Sequence, residues 1–482
     1  MLQPPLFLFF PFGKENSSEV ELVSGKKRMH LVSLGCAKNL VDSEIMLALL
    51  GDAGYSVVED PGEADLLLVN TCGFIQPAVE EAVDEILRLS EYKKQDSDKL
   101  LVVVGCLVQR YGKTLLEELP EVDLFTGING IAEIDALIEK RLRKDTSFLV
   151  LDSPKYLMDS RTPRRLSTRF FQAFLKLTEG CDNRCTYCLI PSIRGSLRSR
   201  PVPDLIVETE RLAASGVREL NLIAQDLTAY GTDLTPAVDL VHLLEQILKR
   251  TDIPWLRLLY LYPTTTSTRL LELMAAESRI VPYLDIPFQH VSDQVLQRMN
   301  RRYGRKELDD LIARIRRYLP ACALRTTLLV GFPGETEQDL EELIACLRGW
   351  QLDHVGVFQY QDEEGCAAYN LQDKIDDLEK EDRYKRVMAV QAEISAGKVR
   401  KYVGRVEQVL VEGVSAETDL LLEGRTRFQA PEIDGCVYIN DGQADPGALV
   451  PVRITEAHTY DLVGEILSEG IEFRSSEVTG RR

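Results

Sequence analysis

Residues 181–188 read Cys-Asp-Asn-Arg-Cys-Thr-Tyr-Cys and lie in a loop after the predicted strand Phe170–Leu177. Three thiolates this close together can hold three irons of a 4Fe-4S cluster and leave the fourth iron open to a ligand from outside the protein. A zinc knuckle is the alternative, but zinc usually takes four ligands. The loop offers Cys181, Cys185 and Cys188 and no nearby His. The spacing therefore favours a cluster.

The segment around this loop, residues 165–395, alternates predicted strands and helices. Short apolar runs predict six strands: Phe170–Leu177, Glu219–Ala224, Trp255–Tyr260, Tyr283–Ile286, Leu324–Val330 and His354–Gln359. Helical stretches such as Pro203–Ser215, Asp293–Met299 and Thr336–Trp350 lie between them. Parallel strands alternating with helices predict a full or partial (β/α) barrel, whose chemistry sits in the loops after the strands.

Residues 29–145 repeat the alternation on a smaller scale, which predicts a parallel α/β sheet covered on both faces. Three predicted strands are each followed by a cysteine, in Leu34-Gly35-Cys36, Asn70-Thr71-Cys72 and Val104-Gly105-Cys106. The carboxyl ends of parallel strands line one crevice, so we expect these three thiols at one rim. A single buried Cys is usually a small apolar residue, but three at equivalent strand ends indicate a second site.

Residues 396–475 lose the helical periodicity and predict a small all-β barrel or sandwich, entered through a long helix near Lys380–Tyr402. The predicted fold class is therefore α/β with three domains: 29–145, 165–395 and 396–475. Residues 1–28 are interpreted as an N-terminal extension that we expect to be disordered, and Met29 is an alternative start to Met1.

The composition excludes several classes of protein. The chain of 482 residues carries 57 basic and 76 acidic side chains, a net charge of −19, which argues against a protein that coats nucleic acid. No apolar run approaches a membrane span, and the N-terminus lacks the basic region of a signal peptide. We therefore expect a cytoplasmic protein whose ten cysteines are thiols or metal ligands.

The cysteine loop after the first strand of a (β/α) barrel resembles the radical S-adenosylmethionine superfamily. The resemblance implies that S-adenosylmethionine chelates the open iron of the cluster and is cleaved by an electron from it. It places cofactor-binding residues at Cys181, Cys185 and Cys188, at Tyr187 beside the last Cys, and at later strand ends. Those strand ends are Leu222-Ile223-Ala224-Gln225-Asp226, Leu284-Asp285-Ile286-Pro287-Phe288-Gln289-His290 and Leu329-Val330-Gly331-Phe332-Pro333-Gly334. From them the candidates are Gln225, Gln289 and Gly331, although a tight β-to-α turn explains Gly331 equally well.

Within that superfamily the layout is similar to the methylthiotransferases. Matching strings are Ser33-Leu34-Gly35-Cys36-Ala37-Lys38-Asn39, Asn70-Thr71-Cys72-Gly73-Phe74-Ile75, Gly105-Cys106-Leu107 and Cys188-Leu-Ile-Pro191-Ser-Ile-Arg194-Gly195. The resemblance implies that Cys36, Cys72 and Cys106 hold a second 4Fe-4S cluster, which carries or delivers the inserted sulfur, and that the C-terminal domain is TRAM-like. It implies two molecules of S-adenosylmethionine per reaction and an electron donor as partner. We nominate no catalytic residue beyond the cluster ligands, and interpret Cys322, Cys346, Cys366 and Cys436 as packing or incidental residues.

Two branches of the family differ in substrate. One modifies an adenosine of tRNA, and the other adds a methylthio group to the β-carbon of an aspartate in small-subunit ribosomal protein S twelve. Several strings resemble the second branch: Ala37–Glu44, Gln225–Gly231 and Tyr283–Pro287. A non-catalytic iron–sulfur scaffold or electron carrier is a more distant alternative.

Charge gives an independent indication of the partner. Residues 400–474 carry seven basic and fourteen acidic side chains, which suits a basic protein better than RNA. Residues 161–200 carry nine basic and two acidic side chains. We interpret that excess as pairing with carboxylates rather than with RNA phosphate, so RNA contact is expected to be secondary.

Overall fold

The computed structural model describes residues 27–144 and 148–467. They form two compact units. Unit one takes its described residues from Met1–Ser215, Asn221–Asp252 and Gln361–Leu371, and unit two from Gly216–Leu220, Ile253–Tyr360 and Gln372–Arg482. None of the described helices is long and apolar enough to cross a membrane. The predicted extension, residues 1–28, lies outside the described residues except for Lys27 and Arg28, which belong to the first strand.

Unit one begins with a six-stranded parallel sheet. Its strands are β1 (Lys27–Ser33), β2 (Tyr55–Val57), β3 (Leu66–Thr71), β4 (Leu100–Gly105), β5 (Leu124–Thr126) and β6 (Leu149–Val150). Its helices are α1 (Ala37–Asp52), α2 (Gln76–Gln95), α3 (Cys106–Glu118) and α4 (Ile134–Leu142). The strand order is β2-β1-β3-β4-β5-β6. Residues on successive strands, such as Leu67, Leu101 and Phe125, fill the core, as expected of a sheet covered on both faces.

The rest of unit one carries the loop with the second group of cysteines. Its elements are β7 (Gln172–Lys176), β8 (Thr178–Glu179), α5 (Ile190–Arg194), β9 (Arg198–Ser199), α6 (Val202–Ala214), the end of β10 (Glu219–Ile223) and α7 (Leu240–Arg250). The Leu177 N–H donates to the Ile223 carbonyl across 3.0 Å, which places the end of β7 beside the end of β10. The short strands β8 and β9 pair with each other in antiparallel fashion and flank the cysteine loop.

Unit two continues the alternation of strands and helices. Its elements are β11 (Trp255–Leu258), α8 (Thr268–Ala276), β12 (Ile280–Asp285), α9 (Asp293–Arg298), α10 (Arg305–Tyr318), β13 (Ala323–Val330), α11 (Glu337–Trp350), β14 (His354–Gln359) and α12 (Asp377–Val399). Its four strands are parallel, in the order β14-β13-β12-β11. The six strands expected for the central region are therefore all present, counting β7 and β10.

The C-terminal part of unit two is a closed barrel, which resolves the expected choice between barrel and sandwich. Its strands are β15 (Val406–Val414), β16 (Leu422–Thr426), β17 (Val437–Asp441), β18 (Leu449–Ala457) and β19 (Leu462–Ile466), in the order β15-β16-β17-β19-β18. Val409, Ile439 and Val452 are buried inside it, on alternate positions of their strands. Apolar runs in the sequence predict the first four of these strands, at Arg405–Glu412, Asp419–Glu423, Cys436–Ile439 and Leu449–Glu456. Strand β19 was not predicted. It closes the barrel by pairing with both β17 and β18.

Candidate functional site

The first cysteine set, Cys36, Cys72 and Cys106, lies at the carboxyl edge of the N-terminal sheet. Cys36 caps α1 after β1, Cys72 directly follows β3, and Cys106 opens α3 directly after β4. These three strands are neighbours in the sheet order. Cysteines far apart in the sequence are thus brought to one rim, as their strand-end positions predicted.

The backbone around this set depends on glycine. Gly35 has φ +102, and a Cβ built there would lie 2.9 Å from the Cβ of Cys72 and 3.4 Å from its Sγ. Gly105 has φ +108, and its Cβ would lie 2.6 Å from Oδ1 of Asn70. Side chains rarely adopt such φ values, and neither position has room for one. Glycine therefore lets the strand ends approach closely enough for the thiols to share a site.

Asn39, a buried residue on the first turn of α1, fixes the two strand-end loops. Its Nδ2 donates to the carbonyls of Leu34 and Thr71, each across 3.0 Å. Its Oδ1 lies 3.7 Å from Sγ of Cys106 and 4.0 Å from Sγ of Cys36. The Asn39 side chain thus holds the backbone before Cys36 and Cys72, and it contacts the sulfur atoms of Cys36 and Cys106.

The thiols of the first set influence one another electrostatically. Burial raises the pKa of Cys72 to about 12, and the neighbouring Cys106 and Cys36 add to the rise. Burial also raises the pKa of Cys106, although Arg194 opposes it. At Cys36 loss of solvent contact raises the pKa, but Lys38, Arg194 and backbone N–H groups outweigh that effect, and the net shift is downward. Positive charge thus already favours thiolate, the form that binds metal, at Cys36.

The second cysteine set, Cys181, Cys185 and Cys188, lies in the loop between β8 and α5. The Cys181 N–H donates to the Gly195 carbonyl across 3.1 Å, which closes the loop on itself. The Cys188 N–H donates to the Cys185 carbonyl across 3.2 Å. Burial raises the pKa of Cys181 to about 11 and that of Cys188 to about 12. The neighbouring thiol of Cys185 adds to the rise at both. The three cysteines therefore lie in one closed loop.

A segment from later in the chain packs on this loop. The Ala368 N–H donates to the Thr186 carbonyl across 2.8 Å, and the buried Cys366 adds to the raised pKa of Cys188. Burial raises the pKa of Cys366 itself to about 11. No spacing pattern in the sequence indicates Cys366, because it approaches the loop only through the fold. It therefore lies beside the second set rather than at an unrelated position.

The buried residue Arg194 links the two cysteine sets. Its Nη2 lies 3.5 Å from Sγ of Cys106 and donates to Oδ1 of Asn39 across 2.6 Å and to Asp42 across 3.0 Å. Its Nη1 donates to Glu179, two residues before Cys181, across 3.1 Å. In the sequence Arg194 is one of the nine basic residues of 161–200 and part of a family motif, and no individual role was predicted for it.

The remaining candidate residues divide between the units. In unit one, Tyr187 is half-buried beside Cys188, and Gln225 follows β10. Among the described residues, Oε1 of Gln225 is one of the buried side-chain oxygens without a hydrogen-bond partner. The next residue, Asp226, accepts from Nδ2 of Asn183 in the cysteine loop across 2.8 Å. An unsatisfied amide oxygen directly beside a group that touches the loop suits a ligand bound at the loop.

Gln289 and Gly331 lie in unit two. Gln289 follows β12 with φ +68, and its carbonyl accepts from the Leu329 N–H across 2.7 Å. Gly331 follows β13 with φ +73, and a Cβ there would lie 2.4 Å from Cγ of Lys380. Gly331 is thus required by packing against Lys380, in agreement with the turn that was its alternative explanation.

The donor sets fit iron–sulfur clusters better than single metal ions. A structural zinc site usually takes four ligands. A zinc knuckle would bring its ligands to one point, whereas a cluster binds each thiolate on a separate iron. Each set supplies three soft sulfur donors from its own strand ends or loop, the number that leaves one iron of a cluster open.

The excess of basic residues around the second set is largely paired with the protein's own acids. Arg164 contacts Glu44 and Glu208, and Arg200 contacts Glu208 and Asp204. Lys176 and Arg194 likewise share two buried carboxylates. The local charge therefore stabilises the fold and gives little support to an RNA phosphate site.

Comparisons with known proteins cover most of the chain. Residues 28–127 match the uncharacterized protein family UPF0004, residues 175–347 the radical SAM superfamily, and residues 403–467 the TRAM domain. The chain is 55% identical over 441 residues to the ribosomal protein uS12 methylthiotransferase RimO of Desulfotalea psychrophila, spanning 92% of this chain and 99% of that one. It is 47% identical over 441 residues to RimO of Myxococcus xanthus, spanning 92% of each chain.

The fold is similar to that of solved radical S-adenosylmethionine enzymes. TsrM of Kitasatospora setae, a radical S-adenosylmethionine methyltransferase, superposes with a TM-score of 0.52, over 69% of this chain and 73% of that one. The two sequences are 16% identical, so this likeness concerns the fold alone.

Proposed function

Because the chain belongs to the family of the ribosomal protein uS12 methylthiotransferases RimO, we propose that its two cysteine sets hold the two 4Fe-4S clusters of such an enzyme. The chain is a radical S-adenosylmethionine methylthiotransferase that acts on ribosomal protein uS12. We assign one cluster to Cys36, Cys72 and Cys106 and the other to Cys181, Cys185 and Cys188. The observation that carries the assignment is that both sets lie in unit one, where Arg194 contacts Cys106 of the first set and Glu179, two residues before Cys181 of the second.

The residues around the sets bind, orient and shield the cofactors. When bound, the clusters and S-adenosylmethionine would supply the one-electron chemistry and the methylthio group. Tyr187 and the free amide oxygen of Gln225 are proposed to contact S-adenosylmethionine at the second set. Gln289 and Gly331 stay candidates for the same ligand. Hydrogen abstraction from carbon requires no general base, so no His or Glu is nominated as a catalyst.

The proposed target is the β-carbon of an aspartate in uS12. The acidic C-terminal module, residues 400–474, supports a basic protein partner, since complementary charge speeds encounter. Its match to a TRAM domain adds an RNA contact, which we propose to be secondary to the contact with uS12. An electron donor is a further proposed partner, and a ribosomal substrate supports a cytoplasmic location, which we propose.

The test is a direct comparison of substrates. The full chain, reconstituted without oxygen, is incubated with S-adenosylmethionine and a reductant, together with either uS12 or tRNA. We expect mass spectrometry to find a methylthio group on a uS12 aspartate and none on tRNA. The Cys181→Ala variant is the matched control and should modify neither. Modification of tRNA alone would overturn the substrate assignment.

A further inference from the structure

We propose that Arg194 is a positioning residue that fixes the cysteine loop 181–188 against the first cysteine set and donates a hydrogen bond to the cluster ligand Cys106. The inference rests on the proposed function, since it assumes that both sets hold clusters. It goes beyond that function, because it assigns the geometry between the sets, and the electronic environment of one of them, to a single side chain.

The contacts of Arg194 join both ends of the cysteine loop. Arg194 ends α5, directly after the loop, and its Nη1 donates to Glu179 directly before the loop. Its Nη2 contacts Asn39, whose own amide holds the loops before Cys36 and Cys72. A displacement of Arg194 would therefore release the second loop and remove a support from the first rim.

The surroundings of Arg194 explain why it stays in place. Lys176 and Arg194 face Asp42 and Glu179, and all four side chains are at most 2% exposed. Two cations and two anions balance, and each carboxylate contacts both cations. A buried group of this kind tolerates the loss of one member poorly, because an unpaired charge remains in a dry site.

The fork of the guanidinium is needed as well as its charge. One arm reaches Glu179 while the other reaches Asn39, Asp42 and Cys106. A lysine ammonium is a single point of charge and cannot span both directions. Hydrogen bonds to sulfur help to set the reduction potential of an iron–sulfur cluster. The two N–H groups of Nη2 serve three acceptors, so Sγ of Cys106 shares one of them with Asn39 or Asp42. This shared hydrogen bond stabilises the added electron and raises the potential of the cluster on the first set.

The experiment uses the full chain with Cys181, Cys185 and Cys188 replaced by Ala, so that only the cluster on the first set is bound. In this background Arg194→Lys is compared with Arg164→Lys. Arg164 is the matched control, an arginine whose side chain is 7% exposed and contacts the carboxylates Glu44 and Glu208. We expect Arg194→Lys to lower the midpoint potential by about 59 mV or more, which is a tenfold shift in a one-electron equilibrium. We expect Arg164→Lys to leave it unchanged.

A second measurement tests positioning in the cluster-free chain with all six ligand cysteines intact. We expect Arg194→Lys to accelerate hydrogen exchange of the Cys181 amide, which bonds to Gly195, by about tenfold or more, and Arg164→Lys to change it little. If Arg194→Lys does not fold, Arg194→Met combined with Glu179→Gln removes the charge in a balanced pair and should show the same two effects. An unchanged potential and unchanged exchange would overturn the inference. A wild-type chain that binds only one cluster would instead contradict the proposed function.

Discussion

Arg110 and Glu363 form an ion pair 2.9 Å long in which each side chain is only 7% exposed. Arg110 lies on α3, the helix that begins at Cys106, and its Nη1 donates to the Gly73 carbonyl beside Cys72. Glu363 precedes the segment that packs on the second cysteine set and also accepts from the Gln76 N–H across 2.6 Å. The pair therefore fastens residues 361–371 to the loops around the first set.

Breaking this pair should weaken unit one strongly. We expect Glu363→Gln to lower the free energy of unfolding by about 3–5 kcal/mol, because it leaves the buried Arg110 without its counter-charge. Urea unfolding of the cluster-free chain measures the change. The control is Glu364→Gln, since Glu364 is exposed and contacts Arg110 only through its main-chain carbonyl. Equal losses in the two variants would contradict the assigned role of the pair.

The two cysteine sets should be separable by iron content. Replacing Cys36, Cys72 and Cys106 with Ala should reduce bound iron from about eight to about four per chain and leave cleavage of S-adenosylmethionine intact. The reason is that the second set keeps all three ligands. Iron analysis and chromatography of 5′-deoxyadenosine measure the two outcomes. Cys436→Ala serves as the cysteine control, because Cys436 lies in the barrel of unit two. Loss of cleavage in a folded triple variant would refute this division of roles.

Single replacements in the second set should abolish cleavage of S-adenosylmethionine and leave the first cluster in place. Cys181→Ala, Cys185→Ala or Cys188→Ala should abolish formation of 5′-deoxyadenosine, since each removes one of only three thiolates. Bound iron should not fall below the content of the first cluster. A variant that retains full cleavage would show that another ligand replaces the missing thiol. Cys366 is the nearest candidate, because it already influences Cys188.

Much of the fold and both cysteine sets could be predicted because the signals are local. Strand β14 has the predicted bounds His354–Gln359, since it is a short apolar run in the sequence. The convergence of Cys36, Cys72 and Cys106 followed from parallel strands having their carboxyl ends at one edge.

Contacts between distant segments could not be predicted in this way. Arg194 meets Asn39 across 155 positions of sequence, and Arg110 meets the Glu364 carbonyl across 254. No periodicity or spacing encodes such pairs, because they depend on how finished elements pack. Strand β19 was missed for a related reason. Its pairing with β17 and β18 forms only when the barrel closes.

The pair Glu219–Arg425 predicts how the stability of unit two depends on pH. Burial alone would raise the pKa of Glu219, but Arg425 and Arg257 lower it from the usual 4.5 to about 2. A lowered carboxyl pKa contributes stability above the unfolded value, and this contribution is lost as the pH falls from 4.5 towards 2. The shift corresponds to about 3 kcal/mol.

We therefore expect Glu219→Gln to destabilise unit two at neutral pH, with a smaller difference from wild type in acid. Thermal unfolding at about pH 7 and about pH 3 tests the sign. Asp441→Asn, at an exposed position of the barrel, should show no such dependence. A difference that grows as the pH falls would show that Glu219 is not ionised in the folded protein.

The acidic surface of the C-terminal module should matter for encounter with uS12. The acidic residues nearest the C-terminal end of the module are not suitable for a charge reversal. Glu469 and Glu472 lie outside the described residues, and Glu465 is paired with Arg453 across 3.1 Å. The informative change is therefore reversal of the exposed Glu417 and Asp419 to Lys. We expect the full-length double variant to bind uS12 about tenfold more weakly at low salt, because opposite charge steers association.

The expected loss should fade as salt is added, since the Debye length falls to about 8 Å at physiological ionic strength. Reversal of Glu117 and Glu118, exposed acids of unit one, gives the same change in net charge and is the matched control. Binding of both variants to uS12 and to tRNA across a salt series, with cleavage of S-adenosylmethionine measured in parallel, separates the outcomes. A loss confined to the variant at Glu417 and Asp419 supports docking at the module, because the two variants have the same net charge. Equal losses would mean that only the overall charge of the chain attracts uS12. If the variant at Glu417 and Asp419 binds tRNA more tightly, with an affinity that falls steeply as salt is added, the same surface normally repels RNA phosphate.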